Sequence, residues 1–177
     1  MNQQLINQLQ DGNEGSPKVL FTLAGGGYLW EAKQLVSRLK TPVTFLYVTT
    51  TDSMVPTFEE IPEGLVSRVS RVTTLSEKSV LIKINHFVKS FIQSYKLLKK
   101  EKPKIIICIG SSISVPLCLC GKLLGIKTVF IESLARVDSL SKTGRIIHRL
   151  HLADYFYVQW PEISDDNAGI LYAGTLI

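Results

Sequence analysis

The sequence predicts an α/β protein with a Rossmann-like, doubly wound and mostly parallel sheet. Apolar runs alternate with amphipathic segments along the chain, and the runs are continuously apolar, as at residues 105–109. Strands that are buried on both faces of a parallel sheet have this pattern. The length of 177 residues suits one domain and is too short for two complete α/β domains. We expect residues 17–177 to form that domain, after a flexible polar arm at 1–16.

Six segments are predicted to be strands because they are short runs rich in apolar and β-branched residues, bounded by glycine, proline or charged residues. The third of them alternates between apolar and polar residues, whereas the others are largely continuous. The predicted strands are residues 18–24, 43–48, 66–72, 105–109, 127–131 and 155–158.

Four segments are predicted to be helices because apolar residues recur in them at intervals of three or four positions. The second is long and amphipathic. The third has Pro116 in its first turn and Gly125 at its end, where these residue types are favoured. The predicted helices are residues 29–39, 80–98, 115–124 and 141–150.

The charge of the chain favours an anionic partner. The formal net charge is +5 and the pI is about 9.1, which suits phosphate groups or an anionic membrane. Nucleic acid fits less well, because Trp30 and Trp160 lie outside the lysine-rich second helix and no RNA- or DNA-binding motif is present. We therefore expect no nucleic-acid partner.

The cysteines and the apolar segments indicate where in the cell the protein is located. Three cysteines, an odd number without a secretory signal, favour a reducing environment. Cys118 and Cys120 lie two positions apart in a predicted helix and face different sides, unlike metal ligands, so we expect inert thiols and no metal or cofactor. The most apolar region, 105–126, is interrupted by Gly110 and Pro116, which predicts a soluble or peripheral protein without a spanning helix.

Three loops follow predicted strands, and parallel sheets bind ligands outside the carboxyl ends of their strands. The first loop contains Gly25, Gly26 and Gly27 and leads into a helix, so its backbone amides can receive an anion. A tight turn that needs positive φ is the alternative explanation for the glycines. A dinucleotide-binding fingerprint fits poorly, because its third glycine falls on Trp30.

The second loop contains Gly110, Ser111 and Ser112. It lies between a strand and a helix and is therefore another turn suited to an anion. Capping of the following helix by Ser112 or Ser114 is the alternative.

The third loop contains Glu132 and Arg136. A carboxylate at a strand end, beside hydroxyl groups, can hold sugar hydroxyls or an arginine of a partner. The alternative is a surface salt bridge between Glu132 and either Arg136 or Lys142.

The second predicted helix is strongly basic. No acidic residue lies between positions 77 and 101, whereas six lysines do, among them Lys83, Lys89 and Lys96. Beside an apolar stripe these lysines form a basic amphipathic surface that suits an anionic membrane. Alternatively, the stripe packs on the sheet and the lysines are only solvated.

The C-terminal part of the chain carries the most informative motifs. An apolar strand ends on Glu132 and opens into hydroxyl and charged side chains up to residue 145, and two further segments follow at 153–162 and 172–175. Together they resemble the asparagine-linked-glycosylation-fourteen family, densely across 103–177 and more loosely before. Its members are acceptor-side, membrane-associated subunits of split glycosyltransferases that act on lipid-linked sugars.

The resemblance implies that the chain is one Rossmann-like half of a GT-B glycosyltransferase, the half that binds the acceptor. A second, catalytic polypeptide would carry the UDP-sugar site, and this chain alone would be nearly inactive. The acceptor would be a polyprenyl-diphosphate-linked sugar, and the chain would be cytoplasmic and peripheral at the inner face of the plasma membrane. Eukaryotic relatives usually have an N-terminal anchor, and its absence here favours a bacterial pair for capsule or exopolysaccharide synthesis.

The resemblance also implies roles for individual residues. The family pattern Gly-Gly-His-x-x-Glu matches Gly26, Gly27 and Glu31, with Tyr28 in place of the histidine, and a tyrosine is a poor base near neutral pH. Glu132 is the candidate catalytic residue, which would orient the sugar or act as a base. The expected acceptor-binding residues are Gly25, Gly26, Gly27, Tyr28, Glu31, Gly110, Ser111, Ser112 and Arg136.

The closing residues match the motif through which the family's membrane-associated subunit holds its partner. A self-sufficient nucleotide- or sugar-binding enzyme of the same fold is the alternative, and activity of the purified chain alone would distinguish it. The expected partner interface consists of Trp160, Tyr172, Gly174, Thr175, Leu176 and Ile177.

Overall fold

The computed structural model describes residues 16–39, 41–53, 60–72 and 79–176. Seven parallel strands form one sheet in the order β3-β2-β1-β4-β5-β6-β7, and the prediction of a doubly wound parallel sheet is confirmed. The strands are β1 Lys18–Thr22, β2 Thr44–Thr50, β3 Gly64–Val69, β4 Ile105–Ile109, β5 Lys127–Ile131, β6 Tyr155–Val158 and β7 Ile170–Tyr172. The α-helices are α1 Gly27–Ser37, α2 Val80–Glu101, α3 Ser114–Leu124 and α4 Lys142–Arg149. The predicted arm lies outside the described residues, except for Ser16.

The strand order places a topological switch point between β1 and β4. The chain builds outwards from β1 to β2 and β3, and then returns to add β4 on the other side of β1. Val19 of β1 is opposite Ile105 of β4, and the same strand pairs Lys18 with Thr44 of β2. Because all strands are parallel, every loop that follows a strand lies at one edge of the sheet.

Alternate residues of each strand form two separate cores. On one face, Leu20 and Ile106 belong to a buried cluster that also contains residues of α2, α3 and α4. On the other face, Phe21 and Ile107 pack with Ala32 and Val36 of α1. Strands that are apolar on both sides are therefore explained by helices on both faces.

The apolar stripe predicted for α2 splits into two parts. Phe87, Phe91 and Tyr95 pack against the core, and Leu98 is buried. The other apolar side chains face outwards, and their exposed fractions are 78% for Leu81, 53% for Ile84, 45% for Val88 and 46% for Ile92. The side of the helix that faces the core also includes two fully buried small residues, Ser90 and Ser94.

Two features of the sheet differ from the sequence prediction. β3 begins at Gly64 rather than at 66 and ends at Val69 rather than at 72. Gly64 is required inside the strand because a Cβ atom there would lie 2.5 Å from the carbonyl oxygen of Phe45 on β2. The seventh strand was missed because Ile170–Tyr172 has only three residues.

Candidate functional site

A cavity of about 540 Å³ opens at the carboxyl edge of the sheet, beside the switch point. The ends of β1, β2, β3 and β4 surround it, together with the first turn of α1. Its lining is mostly polar or glycine, and consists of Ala24, Gly25, Gly26, Tyr28, Leu29, Thr50, Asp52, Ser53, Arg71, Ser111 and Ser112.

The glycine loop presents the start of α1 to this cavity. Gly26 is the N-cap residue of α1 and has a φ of +71°, so the tight-turn explanation for the glycine holds. No side chain caps the helix, and its first amide groups are therefore available to a ligand. The positive end of the helix dipole favours an anion at the same place. The turn geometry and anion binding are compatible.

The second loop approaches the first through Tyr28. Gly110 has a φ of +47°, and a Cβ atom there would collide with the ring of Tyr28. Ser111 follows with a φ of +58°, an uncommon conformation for a residue with a side chain. The N-cap residue of α3 is Ile113, without a side-chain cap, so the capping role considered for Ser112 or Ser114 is wrong. The Ser114 hydroxyl donates to the carbonyl of Gly110 instead.

Glu31 lies outside the cavity and is almost fully buried at 3% exposure. Its carboxylate accepts hydrogen bonds from the Ser133 hydroxyl at 2.8 Å, the Leu134 amide at 3.2 Å and the Gln159 side-chain amide at 2.7 Å. Glu31 thus ties α1 to the loop after β5 and to the end of β6.

Glu132 is fully buried, and hydrogen bonds from its own loop occupy both carboxylate oxygens. Oε1 accepts from the Ser133 amide at 3.0 Å, and Oε2 accepts from the amide and hydroxyl of Ser141, each at 2.9 Å. Ser141 in turn caps α4. The alternative of a surface salt bridge with Arg136 or Lys142 is therefore wrong. These contacts fix the loop between β5 and α4, and a catalytic role for Glu132 stays a prediction.

The three loops lie at one edge, but only two line the cavity. Residues of the first and second loops contribute to it, whereas none of residues 132–136 does. The third loop instead contacts α1 through hydrogen bonds from Ser133 and Leu134 to Glu31. Arg136 is exposed in this loop, and its backbone amide bonds to the carbonyl of Ser133.

A second, apolar groove of about 100 Å³ lies on the α1 face of the sheet, over β4, β5 and β6. The C-terminal tail, residues 173–176, forms one wall, and the Leu176 amide donates to the Gln159 side chain at 2.9 Å. Burial raises the pKa of Tyr157 in this groove above its ordinary value. The groove is lined by Leu35, Ile107, Val129, Ile131, Tyr157, Val158, Gln159, Ala173, Gly174, Thr175 and Leu176.

The residues expected at the partner interface fall near this groove. Gly174, Thr175 and Leu176 line it, and Tyr172 is 43% exposed beside it at the end of β7. Trp160 is half-buried and donates its indole N–H to the carbonyl of Leu134 at 2.6 Å. Residue 177, the isoleucine, lies outside the described residues.

The lysines expected at a membrane surface are not equivalent. Lys89 and Lys96 are exposed, whereas Lys83 is half-buried. At 100° per residue along the helix, Lys89 and Lys96 project beside Val88 and Ile92, and Lys83 projects from the far side.

The described residues do not favour metal binding or cysteine-based catalysis. Across them, no group of three potential metal ligands comes together. Burial raises the pKa of the Cys120 thiol to about 12, and a hydrogen bond with Cys108 together with burial raises that of Cys118. Such thiols are poor nucleophiles near neutral pH. Among the helices of this part of the chain, none is both long and apolar enough to cross a bilayer.

Solved structures define the class of this fold. The chain superposes on MurG of Acinetobacter baumannii with a TM-score of 0.67 and 14% identity, over 90% of this chain and 44% of MurG. It superposes on a UDP-N-acetylglucosamine 2-epimerase with a TM-score of 0.61 and 13% identity, over 90% of this chain and 48% of the epimerase. These likenesses establish the fold, a Rossmann-like domain of the GT-B type.

A comparison with sequence family models identifies the family within this class. A family model described as "Oligosaccharide biosynthesis protein Alg14 like" matches residues 19–176. The chain belongs to this family, and the resemblance noted from its motifs is confirmed.

Similar proteins from several organisms are named ALG14. The human UDP-N-acetylglucosamine transferase subunit ALG14 is 37% identical over 90 residues, which is 48% of this chain and 41% of the relative. The protein of the same name from Candida albicans is 30% identical over 169 residues, covering 88% of this chain and 76% of the relative. The matched part of this chain therefore spans less than half the length of the human relative.

Sequence reasoning missed several residues at these sites. Arg71 was assigned to the interior of a strand, because the alternating pattern predicted β3 to continue to residue 72. Gln159 directly follows β6, and Ser133 lies two residues after the end of β5. Those positions were the available signal, since strand ends in a parallel sheet share one edge. Ser53 gave no signal, because only the fold brings it to the cavity that the glycine loop also lines.

Proposed function

We propose that this chain is the acceptor-binding subunit of a two-polypeptide glycosyltransferase. Its membership of the Alg14-like family carries the proposal, because the relatives are named UDP-N-acetylglucosamine transferase subunits. A GT-B enzyme divides acceptor and donor between two Rossmann-like domains, and the described residues form one such sheet. Because the relatives are named as subunits of a transferase, we infer that a second polypeptide supplies the UDP-sugar site and the catalytic centre.

The acceptor is a polyprenyl-diphosphate-linked sugar, and its diphosphate binds in the cavity at the switch point. The uncapped amide groups of α1, the helix dipole and the hydroxyls of Ser111 and Ser112 support an anion there. Tyr28 lies between the two loops and can offer its hydroxyl to the sugar. The sugar then extends from the carboxyl edge of the sheet towards the donor subunit.

The catalytic partner docks on the apolar groove and the C-terminal tail. The groove exposes parts of Ile131 and Tyr157, strand residues that α1 leaves partly uncovered. An exposed apolar surface of this kind suits a protein partner. Trp160 and Tyr172 flank the same region and supply aromatic contacts, which are enriched at protein interfaces.

The exposed face of α2 docks on the membrane that carries the lipid acceptor. Leu81, Val88 and Ile92 face outwards, and exposed lysines flank them, as in helices that lie in a membrane interface. Because α2 crosses back from β3 to β4, its exposed N-terminal half starts at the edge of the sheet that holds the cavity. Three buried, free cysteines support a location at the reducing, cytoplasmic side.

Reconstitution tests this function. The chain and its catalytic partner are purified separately and mixed, and transfer from UDP-N-acetylglucosamine to a short-chain polyprenyl-diphosphate N-acetylglucosamine is measured. We expect transfer from the mixture and almost none from this chain alone. Robust transfer by the single chain contradicts the proposal and favours a self-sufficient enzyme.

The pathway is a separate question within the same assay. Capsule or exopolysaccharide synthesis requires an undecaprenyl-diphosphate sugar as the acceptor, whereas assembly of a eukaryotic lipid-linked oligosaccharide uses a dolichyl-diphosphate sugar. The assignment to capsule synthesis stays a prediction, and a preference for the dolichyl acceptor would contradict it.

A further inference from the structure

An ion pair between Arg71 and Asp52, to which no role has yet been assigned, lies in the switch-point cavity. Arg71 Nη2 lies 2.9 Å from Asp52 Oδ2, and both residues line the cavity. Asp52 follows the end of β2 and Arg71 follows the end of β3, so both lie at the edge where parallel sheets bind ligands. Among the described lining residues, Arg71 is the one cation and Asp52 is the one anion.

Fold stability does not account for this pair. The side chain of Arg71 is 43% exposed and that of Asp52 is 47% exposed. Ion pairs exposed to this degree contribute little to stability, because water and salt screen them and two long side chains must be held in place. The pair lies at the mouth of a polar cavity, and this position favours a role in ligand binding.

The turn that carries Asp52 is held in a defined shape. Arg68 donates hydrogen bonds to the carbonyl oxygens of Thr51, at 3.4 Å, and Ser53, at 3.2 Å. The hydroxyls of Thr50 and Ser53 share a further bond of 2.6 Å. Arg71 thus faces a fixed carboxylate on one side and the uncapped start of α1, across the cavity, on the other.

We propose that Arg71 pairs with the diphosphate of the acceptor and that Asp52 is the counter-ion that occupies it in the empty site. The identity of the ligand rests on the proposed function. The planar guanidinium group matches two phosphate oxygens at once, and a diphosphate carries more negative charge than a carboxylate. On binding, Arg71 exchanges the carboxylate for phosphate oxygens. The negative charge of Asp52 also repels an incoming anion. Weakly charged anions therefore do not displace the Asp52 carboxylate from Arg71.

Titration of the purified chain with inorganic pyrophosphate, followed by calorimetry at low salt, tests the pair. Arg71→Gln should weaken binding by about tenfold or more, the loss expected for a charge-assisted hydrogen bond. Asp52→Asn should strengthen binding, because the competing carboxylate is removed. Both positions are substantially exposed, and thermal unfolding checks that the variants remain folded.

A second ion pair supplies matched controls. Lys33 Nζ lies 2.7 Å from Glu60 Oε1, and neither residue lines the cavity. Lys33→Gln and Glu60→Gln make the same changes in net charge and should bind pyrophosphate as the wild type does. Equal losses in Lys33→Gln and Arg71→Gln would indicate a general charge effect and overturn the proposal.

The remaining outcomes separate this proposal from the proposed function. If the wild type binds no pyrophosphate, or Arg71→Gln binds it equally well, the role of Arg71 is wrong. If Asp52→Asn binds no more tightly than the wild type, Asp52 is not a competing counter-ion. If binding depends on Arg71 but the reconstituted pair transfers no sugar, the anion site stands and the proposed function fails.

Discussion

The side-chain amide of Gln159 donates a hydrogen bond of 2.7 Å to the carboxylate of Glu31, and this contact joins the two proposed sites. Gln159 also accepts a hydrogen bond from the Leu176 amide, in the tail that borders the apolar groove. Glu31 belongs to α1, the helix whose first turn lines the cavity. Two successive hydrogen bonds therefore connect the C-terminal tail to the helix of the acceptor cavity.

Replacing Glu31 by Gln should destabilise the fold by about 2 kcal/mol, the cost of leaving a buried donor without an acceptor. The carboxylate accepts three hydrogen bonds, and the new amide group would set a donor against at least one of those donors. Urea unfolding measures the change. Glu162→Gln, at an exposed position, is the control and should be nearly neutral. Equal stability of the two variants would contradict the role given to Glu31.

Replacing Gly110 by Ala should cost more stability than replacing Gly125 by Ala. Both glycines have positive φ, and an alanine in the left-handed region is strained by about 1 kcal/mol. Only at Gly110 does the new Cβ atom also collide with the ring of Tyr28, whereas nothing lies within 4 Å of the one at Gly125. Urea unfolding measures both losses, and adding Tyr28→Ala should recover part of the loss at Gly110 and none at Gly125. Similar losses at the two glycines would show that the ring does not press on Gly110.

Replacing both Val88 and Ile92 by Glu should weaken binding to vesicles that contain anionic lipid. The exposed apolar side chains would enter the interface, and the lysines beside them would be attracted to the surface at about 1 kcal/mol each. Flotation with vesicles measures binding, and 1 M salt should release much of the protein because screening then acts over about 3 Å. Leu123→Glu on α3, a position with 62% exposure, is the control. Equal loss in the control would contradict docking through α2.

Deleting residues 175–177 should abolish co-purification with the catalytic partner and leave the fold intact. The tail forms a wall of the apolar groove and is only half-buried, so its removal exposes little of the core. Leu176→Asp is a milder variant with the same expected result. Leu150→Asp, at 57% exposure after α4, is the matched control and should bind normally. Undiminished binding by the truncated chain, measured by affinity capture, would refute this interface.

Much of the fold could be predicted because its signals are local. Continuous apolar runs marked β4 and β5, and Gly125 marked the end of α3, which it closes with a φ of +67°. The glycine loops could be assigned to the edge of the sheet, since the position of a loop after a parallel strand determines which edge it reaches.

The partners of individual side chains could not be predicted in this way. The catalytic role of Glu132 stays a prediction, and the sequence did not indicate that Ser133 and Ser141 donate hydrogen bonds to its buried carboxylate. The exposed half of α2 also escaped prediction, because periodicity shows that a stripe exists but not which part of it another element covers. These features depend on contacts between residues that are distant in sequence.

Ligand binding by the purified chain, without its partner, tests the central claim most directly. Isothermal titration is carried out with a water-soluble polyprenyl-diphosphate N-acetylglucosamine analogue and, separately, with UDP-N-acetylglucosamine. The chain should bind the acceptor analogue and bind the UDP-sugar far more weakly, because the donor site belongs to the second polypeptide. Tight binding of UDP-N-acetylglucosamine, with no binding of the acceptor analogue, would contradict it.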